Sequence, residues 1–322
     1  MKKLSICITH YNEDWLQVQP MLSSIAMQRS IDFDEIEVVI VNDGEWATPP
    51  LFVYAQPYEV RYIINEKKTV SAARNRALDE AQGEYVIFAD CDDMFYCCTA
   101  LYIIFNEMAI GFDALVDSFI EESKHPETGQ RLYINHQGTD LFVHGKVWRK
   151  QYLVDNNIRF RDNLSIHEES PFTFVAMNCS ENVKLCPVPY YLWCWNDNSV
   201  CRRDPKYILK TYNNMIESQT AVAEEFIKRN MVDKAKGFVV GMFFDTYYSL
   251  CSKDWKDIGN AEYREAVEKR FKEYVDDFRY LWDDVSEQDK LIISNGVRQQ
   301  KIAEGKLEME NVTFEEFLKR FE

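Results

Sequence analysis

The sequence predicts an α/β fold in which an open, mostly parallel, twisted sheet carries helices on both faces and is followed by an α-helical region. Strand-like apolar runs alternate with helix-patterned segments through the first half of the 322 residues. Three of these runs end in polar, mostly acidic residues. Strand-like patterns disappear after Asp204-Pro205, so we expect one domain over 1–205 and a helical region over 206–322. This boundary rests on a change of periodicity alone.

The elements of the first half follow from local patterns, taken in chain order. Runs typical of strands cover 4–9, 36–41, 60–64, 84–89 and 113–118. The helix-patterned segments between them cover 15–28, 70–82 and 97–109. Helices that alternate with strands in this way are typical of a parallel sheet with crossover connections.

The second half changes character in two steps. From about 141 to 200 the pattern is mixed, with helices predicted over Val147–Val154 and from Pro171 onward, and an aromatic run over Tyr190–Trp195. Beyond 205 we predict several amphipathic helices, because apolar residues recur at helical spacing. Examples are Ile208, Leu209, Tyr212, Met215 and Ile216.

Composition argues against several classes of protein. The formal net charge of −16 is unfavourable for non-specific binding to nucleic acid or anionic lipid, which depends on surplus Lys and Arg. Nine cysteines without a C-x-x-C pair are typical of a reducing compartment. No stretch approaches the roughly 18 apolar residues of a membrane span. We therefore expect a cytoplasmic protein, with peripheral attachment to the inner face of the membrane as an alternative.

The polar ends of three predicted strands indicate an active site. The strand over 84–89 ends in Asp90-Cys91-Asp92-Asp93, a carboxylate cluster suited to holding a divalent metal on a diphosphate. The first strand runs into His10–Glu13 and the second into Asn42-Asp43-Gly44. In an open parallel sheet, ligands bind outside the carboxyl ends of the strands, so these residues should meet in one site. Their convergence predicts an enzyme.

The predicted helix over 70–82 carries a cation on its apolar face. At 100° per residue, Arg74 falls among Ala73, Ala77 and Leu78, whereas Arg76 points away. A buried guanidinium needs an anionic or planar partner. We expect Arg74 in the first turn of the helix, where free backbone N–H groups favour phosphate. An ion pair with a strand-end carboxylate is equally compatible with the sequence.

Taken together, four blocks of sequence resemble the family 2 glycosyltransferases, which have the GT-A fold. Order, spacing and residue types all match, and the resemblance covers roughly residues 3–200. The family implies an inverting transfer, in one displacement, of a sugar from a nucleotide-diphosphate donor to a hydroxyl acceptor, assisted by Mn²⁺ or Mg²⁺. A UDP-sugar is the expected donor, with guanosine and thymidine nucleotides left open. The four blocks are Ser5–Glu13, Val41–Gly44, Ser71–Leu78 and Ala89–Asp93.

The resemblance also implies roles for individual residues in donor binding. Asn42 and Asp43 would contact the base and ribose, although Asn42 stands where the family usually has an aspartate. Arg74 would meet the diphosphate or the base. The loop after the first strand would bind the nucleotide, with one aromatic ring able to stack on the base, through Thr9, Tyr11 and Glu13.

Asp90 and Asp92 match the D-x-D motif of the family, which implies a metal site. Asp92 is the expected direct ligand, with Asp90 on the ribose or on metal-bound water. Cys91 should point to the opposite side, because residues at a strand end alternate. His144 would reach the metal or the diphosphate, or it is a structural histidine. An acidic turn that caps the next helix is the alternative for the two aspartates.

A one-step displacement also needs a base that takes the proton of the acceptor hydroxyl. In the family resemblance this position falls on Glu169, with Glu168 in a supporting role. Pro171 would be the first helical residue, which places both acids in the preceding loop. Two acids favoured by the helix dipole are the alternative. The segment Trp193–Val200 resembles part of the family's active-site lid, and an aromatic run of this kind is also typical of a core.

Other functions stay open at this stage. A sugar-1-phosphate nucleotidyltransferase normally needs a Gly-rich phosphate loop near the amino terminus, and residues 9–20 lack one. A non-catalytic module that binds sugar nucleotides is a further alternative. The acceptor can be a glycan, a lipid-linked sugar, a protein or a modified base. The helices of 206–322 can bind that acceptor, dock on a membrane-bound partner or form a homodimer.

Overall fold

The computed structural model describes residues 2–45, 48–67, 69–125, 127–139, 141–164, 166–197, 199, 206–303 and 309–321. The chain divides into two compact units, Met1–Asp197 and Asn198–Glu322. The boundary that we predicted near residue 205 falls on residues 200–205, which lie outside the described part of the chain.

The first unit combines strands and helices in alternation. Its strands are β1 (Leu4–His10), β2 (Ile36–Asn42), β3 (Glu59–Ile64), β4 (Tyr85–Asp90), β5 (Met94–Phe95), β6 (Ala114–Lys124), β7 (Arg131–Gln137), β8 (Val147–Arg149) and β9 (Val183–Trp193). Its helices are α1 (Trp15–Ala26), α2 (Leu51–Tyr54), α3 (Val70–Glu80), α4 (Ala100–Ile110), α5 (Lys150–Asp155) and α6 (Glu169–Asn178).

The strands form one sheet in the order β3-β2-β1-β4-β8-β6-β9-β5, and β7 pairs with β6. The strands β3, β2, β1 and β4 run parallel to each other. Beyond β4 the sheet is mixed, because β8 runs antiparallel to both of its neighbours while β6 and β9 are parallel. The predicted α/β fold with a helical region after it is confirmed.

Burial explains why the first strands read as continuous apolar runs. Every residue of β2 and all but one residue of β1 are buried. Strands that are covered on both faces need apolar side chains at successive positions rather than at alternate ones. The helix α1 begins with a capping box at Asp14, whose carboxylate accepts a hydrogen bond from the backbone N–H of Leu16 at 2.9 Å.

Two predicted helix starts are wrong. The segment Val147–Arg149 is the strand β8, and helix follows only over Lys150–Asp155. Val147 and Trp148 are fully buried between β4 and β6, so sheet pairing overrides the local helical pattern. The helix α6 begins at Glu169, two residues before Pro171. Proline is tolerated at this position because the first N–H groups of a helix have no intrahelical partner.

The second unit is helical, as predicted. Its helices are α7 (Tyr207–Lys210), α8 (Tyr212–Lys228), α9 (Val232–Leu250), α10 (Lys253–Lys256), α11 (Ala261–Asp283), α12 (Glu287–Ala303) and α13 (Phe314–Leu318). Their core is rich in aromatic rings: Phe243 of α9 stacks on Trp282 of α11 at 4.8 Å and lies 5.7 Å from Phe271. In the described residues, helices that combine the length and the apolar character of a bilayer span are absent.

Candidate active site

The polar ends of β1, β2 and β4 lie at the same level of the sheet. In the strand register, Thr9 of β1 pairs with Asp90 of β4, and His10 pairs with Asn42 of β2. The carboxyl ends of the three strands therefore meet at one edge, with β1 in the middle. This is the edge at which open α/β sheets bind their ligands.

The loop after β1 presents an aromatic ring to solvent. The side chain of Tyr11 is 62% exposed, so one face of its ring is available for stacking. Asn12 has a positive φ of 58°, and its Oδ1 accepts a hydrogen bond from the backbone N–H of Glu45 at 2.7 Å. A Cβ on Gly44 would lie 2.3 Å from the same oxygen, so this approach requires glycine. Glu13 accepts from the Tyr11 N–H at 2.5 Å.

The Asn42 side chain bonds the loop that follows β2. Its side chain is fully buried. Its Oδ1 accepts from the backbone N–H of Gly44 at 3.1 Å, and its Nδ2 donates to the carbonyl of Glu45 at 2.8 Å. The amide thus holds the loop after β2. Asp43 is 7% exposed and accepts from Asn65 Nδ2 at 3.4 Å.

Arg74 lies at the centre of a group of carboxylates. Its guanidinium contacts Glu168 through Nη1 at 2.6 Å, and through Nη2 it contacts Glu169 at 2.8 Å and Asp90 at 3.4 Å. The residue is 4% exposed, and these three acids raise the pKa of the guanidinium despite its burial. The prediction that Arg74 lies on the buried helix face is confirmed.

The position of Arg74 within its helix differs from our expectation. Arg74 is the fifth residue of α3, whose N-cap is Thr69, and therefore lies beyond the first turn. The N–H of Ala73 already donates to the carbonyl of Thr69 at 2.9 Å. Arg74 is therefore too far from the free N–H groups of the helix start to share a phosphate with them, and its ion pairs account for its burial.

The carboxylates around Arg74 carry more negative charge than one guanidinium neutralises. The pKa of Asp90 is raised to about 6: burial is the main cause, the charges of Glu169 and Asp92 act in the same direction, and Arg74 opposes them. Burial likewise raises the pKa of Glu169, which Arg74 opposes and Glu168 reinforces. Such a site favours a bound cation, because a cation stabilises the ionised carboxylates.

Asp93 belongs to the acidic run that the sequence singles out, but the sequence assigns it no role of its own. It is 1% exposed and accepts hydrogen bonds from Tyr191 Oη at 2.7 Å and from the backbone N–H of Cys194 at 2.8 Å. Tyr191 Oη also accepts from the backbone N–H of Asp90 at 3.1 Å. The end of β9 therefore holds the turn that carries Asp90 and Asp92. The acidic run was the signal in the sequence, and the partner strand lies about 100 residues away.

Asp90 and Asp92 offer the hard oxygen ligands that Mg²⁺ and Mn²⁺ prefer. Both are half-buried, whereas Cys91 between them is buried in the core, as the predicted alternation requires. Asp92 Oδ2 accepts a hydrogen bond from Asn196 Nδ2 at 2.7 Å. Within the described ranges, clusters of three or more His, Cys, Asp and Glu side chains able to hold a metal are absent. Two carboxylates alone would leave most coordination positions of such a metal to other oxygen ligands.

His144 lies in an aromatic stack. Its ring is parallel to that of Tyr191 at 5.0 Å and to that of Phe142 at 5.2 Å, and the residue is 3% exposed. Phe119 meets it edge-on at 4.9 Å. This environment favours the structural interpretation of His144 over the metal ligand.

Glu169 is held by two donors at the start of α6. Its Oε1 accepts from Arg74, and its Oε2 accepts from the backbone N–H of Val143 at 2.9 Å. Glu168, which precedes it, points its Oε1 to the other nitrogen of the guanidinium. The two neighbouring acids therefore occupy different places around Arg74, and Arg74 links Glu169 to Asp90.

The aromatic run Tyr190–Trp195 covers the end of β9 and the two residues after it. Tyr190 and Tyr191 are fully buried, as a core run predicts. The backbone N–H of Trp195 donates to Glu122 at 2.9 Å, and Lys124 Nζ lies 5.0 Å from the centre of the Trp195 ring. In the predicted lid segment Trp193–Val200, Asn198 and Val200 lie outside the described residues.

The chain is similar in sequence to known proteins that are named as glycosyltransferases. The EpsH protein of Bacillus subtilis (strain 168), named as a glycosyltransferase, is 25% identical over 285 residues, which are 82% of this chain and 80% of EpsH. The poly(ribitol-phosphate) β-N-acetylglucosaminyltransferase TarS of Staphylococcus aureus (strain Mu50) is 24% identical over 78% of this chain. The chain spans 45% of the length of TarS.

Solved structures show the fold of this chain, and a family match shows its family. The crystal structure of S. aureus TarS 1–349 matches 94% of this chain and 92% of its own, with a TM-score of 0.65 and 16% identity. TarS 1–349 in complex with UDP matches with the same TM-score and 18% identity. The family described as "Glycosyl transferase family 2" matches residues 5–170, about half of the chain. The chain therefore has the GT-A fold and belongs to glycosyl transferase family 2, as a glycosyltransferase.

Proposed function

We propose that this glycosyltransferase moves a sugar from a UDP-sugar to a hydroxyl acceptor in a single inverting displacement, with Glu169 as the base. The observation that carries the proposal is the contact of Arg74 with both Glu169 and Asp90. It joins a candidate base to the acidic turn at the strand ends within one site. A related structure, TarS 1–349, is known with UDP-GlcNAc, which supports a uridine donor.

The nucleotide of the donor would lie over the ends of β1 and β2. The exposed ring of Tyr11 can stack on the base, and Thr9 lines the floor beside Asp90. Asp43 is the candidate acceptor for hydrogen bonds from the base or ribose. Asn42 and Glu13 support the loops that carry these contacts.

The diphosphate would be held on the acidic turn through a divalent metal. Asp92 is the proposed direct ligand, and Asp90 binds the ribose or metal-bound water. When bound, the metal neutralises the charge that the leaving nucleotide develops. Arg74 is already engaged by three carboxylates, so we assign it to holding these acids rather than to binding the phosphates.

The proposed transfer needs only the donor and the acceptor as reactants. Glu169 takes the proton of the acceptor hydroxyl, and the acceptor oxygen forms its bond to the anomeric carbon from the face opposite to the diphosphate. The bond between that carbon and the β-phosphate oxygen breaks, and both of its electrons leave with UDP. Burial favours Glu169 for this task, because a raised pKa brings a carboxylate closer to the basicity that proton transfer needs.

The donor assignment is tested by a thermal-shift screen of the whole chain with UDP, GDP and dTDP, each with Mn²⁺, with Mg²⁺ and with EDTA. A ligand that binds the native state raises its melting temperature by mass action. We expect the largest increase with UDP and metal, and a loss of that increase in Asp92→Ala. A larger shift with GDP or dTDP contradicts the uridine donor, and equal shifts with EDTA contradict the metal.

Catalysis is tested separately by the release of UDP from UDP-GlcNAc, first with water and then with hydroxyl acceptors. Metal-dependent release that acceptors accelerate supports the transferase. Binding of UDP-GlcNAc without any release would instead indicate a module that binds sugar nucleotides without turnover.

A further inference from the structure

A fully buried ion pair lies beside the segment that holds Glu169. Lys146 and Asp117 are both 0% exposed, and Lys146 Nζ lies 3.5 Å from Asp117 Oδ1. Asp117 Oδ2 is buried and has no hydrogen-bond partner among the described residues. Burying two charges for one long contact is costly, and apolar residues of similar volume would often be as stable. Stability alone therefore does not account for the pair.

Asp117 and Lys146 fix the chain between β4 and β6. Gly145 has a positive φ of 75°, and a Cβ there would lie 2.2 Å from Asp117 Oδ2. The N–H of Gly145 donates to the carbonyl of Phe88 in β4 at 3.2 Å. The backbone of the segment Val143–Lys146 is thus bonded to β4 at Phe88, two residues before the acidic turn begins at Asp90. The same segment contacts β6 through Asp117.

The same segment acts on Glu169 in two ways. The backbone N–H of Val143 donates to Glu169 Oε2 at 2.9 Å, which fixes one carboxylate oxygen. Burial raises the pKa of Glu169, and the charge of Lys146 acts in the opposite direction, together with Arg74 and the Val143 N–H. The other charged groups around Glu169 are Glu168 and Asp90.

We propose that Asp117 and Lys146 are a positioning pair for the base: they hold the segment Val143–Lys146 in place, and with it the Val143 N–H on Glu169. This inference rests on the proposed function, since it takes Glu169 as the base. The pair touches neither donor nor acceptor. Its loss should therefore lower kcat and leave the donor KM unchanged.

The test measures kcat and KM for UDP release from UDP-GlcNAc, together with the melting temperature, in four variants. Lys146→Met and Asp117→Asn each break the pair and should lower kcat about tenfold and lower the melting temperature. The double variant Asp117→Leu/Lys146→Met replaces both charges by apolar groups. Its melting temperature should recover while kcat stays low. Arg61→Met is the control, because it breaks a partly buried ion pair with the fully buried Glu37, far from this site on β2 and the edge strand β3.

A purely structural pair gives a different result. If kcat recovers together with the melting temperature in the double variant, the pair is only an anchor and the inference is wrong. If Arg61→Met lowers kcat as much as Lys146→Met, the effect is general destabilisation and the inference is also wrong. If the double variant folds poorly, Asp117→Asn is compared with Arg61→Met: a kcat in Asp117→Asn no lower than that in Arg61→Met overturns the inference, and a kcat about tenfold lower supports it. Glu169→Gln with normal kcat overturns the base and the inference together, whereas an inactive Glu169→Gln beside a fully active double variant overturns the inference alone.

Discussion

Glu168 and Glu169 are neighbours in the chain but face different partners. Glu168 pairs with one guanidinium nitrogen of Arg74, and Glu169 shares the other nitrogen with Asp90. Glu169 also accepts the Val143 N–H, and its side chain is 19% exposed, compared with 11% for Glu168. Glu169 is therefore better placed for a proton from an acceptor.

Glu169→Gln should abolish transfer while the donor still binds. The amide keeps the shape and one hydrogen-bond acceptor but cannot take a proton, so kcat should fall about 100-fold or more. Glu168→Gln is the matched control and should lose less. UDP release and UDP affinity by calorimetry check both variants. Comparable losses in the two variants would show that the base is not Glu169.

Arg74→Ala should be far more damaging than Arg76→Ala. Removal of Arg74 leaves three carboxylates without their cation, which should cost about 3 kcal/mol or more of stability and disrupt the site. Arg76 is half-exposed and pairs with Glu80, so its removal should change stability by less than about 0.5 kcal/mol. Urea unfolding measures both. The reverse order would refute the role of Arg74 as the counterion of this site.

Asp90 should make the metal-free protein less stable as the pH rises. Burial raises its pKa to about 6, so between about pH 4 and pH 6 the folded state keeps a proton that the unfolded state has lost. The contribution of Asp90 to stability is therefore most favourable below this window and becomes less favourable as the pH rises through it. Asp90→Asn should abolish this loss and be more stable at pH 7 by about 1 kcal/mol, a discounted value because a third of the side chain is exposed.

Thermal unfolding of Asp90→Asn and the unchanged chain at several pH values, with EDTA present, measures the difference. Curves that stay parallel from pH 4 to pH 7 would contradict the raised pKa. The gain in stability should come with a loss of metal-dependent UDP binding, since a site selected for charge is not selected for stability.

Among the elements, those defined by local patterns were predictable and those defined by their partners were not. The strands β1, β2 and β4 and the helix α3 show clear apolar periodicity, and each lies within two residues of its predicted bounds. The strand β9 contains Pro187 and Pro189, and proline disfavours a strand inside a sheet because it has no N–H to donate. It forms because it pairs with β6, with register shifts near Ser118 that accommodate the irregularity.

The same strand supplies a prediction at the level of elements. Tyr191→Phe removes the hydroxyl that joins β9 to Asp93 and to the Asp90 N–H, which should cost about 1–3 kcal/mol and weaken metal-dependent UDP binding. Tyr190→Phe is the matched control. The Tyr190 hydroxyl is buried without a hydrogen-bond partner among the described residues, so its removal should be neutral or stabilising. Equal UDP affinity in the two variants would show that β9 does not support the acidic turn.

For the whole molecule, we propose that residues 1–205 are the glycosyltransferase domain and 206–322 a separate helical region. The buried cluster around β1, β2 and β4 is drawn from residues 4–191, so the first unit has its own core. The second unit has an aromatic core around Phe243 and Trp282. Each unit therefore has what independent folding requires.

A chain of residues 1–205 alone should fold cooperatively and bind UDP with the affinity of the full chain. Circular dichroism and calorimetry measure folding and binding, and Asp92→Ala in the same fragment controls for metal-dependent binding. A folded fragment without UDP affinity would show that the helical region contributes to the donor site. A fragment that does not fold would contradict the proposed domain boundary.

The sequence by itself determined the fold class, the convergence of three strand ends and the family, because these depend on local periodicity and on motifs within short segments. The tertiary structure alone decided which side chains of the site contact each other. Arg74 contacts Glu168 and Glu169, which follow it by about 95 residues in the sequence. Asp93 contacts Tyr191 at a similar separation in the sequence. Such contacts leave no periodic signal, since a buried charge is satisfied by whichever partner the packed elements bring within hydrogen-bond distance.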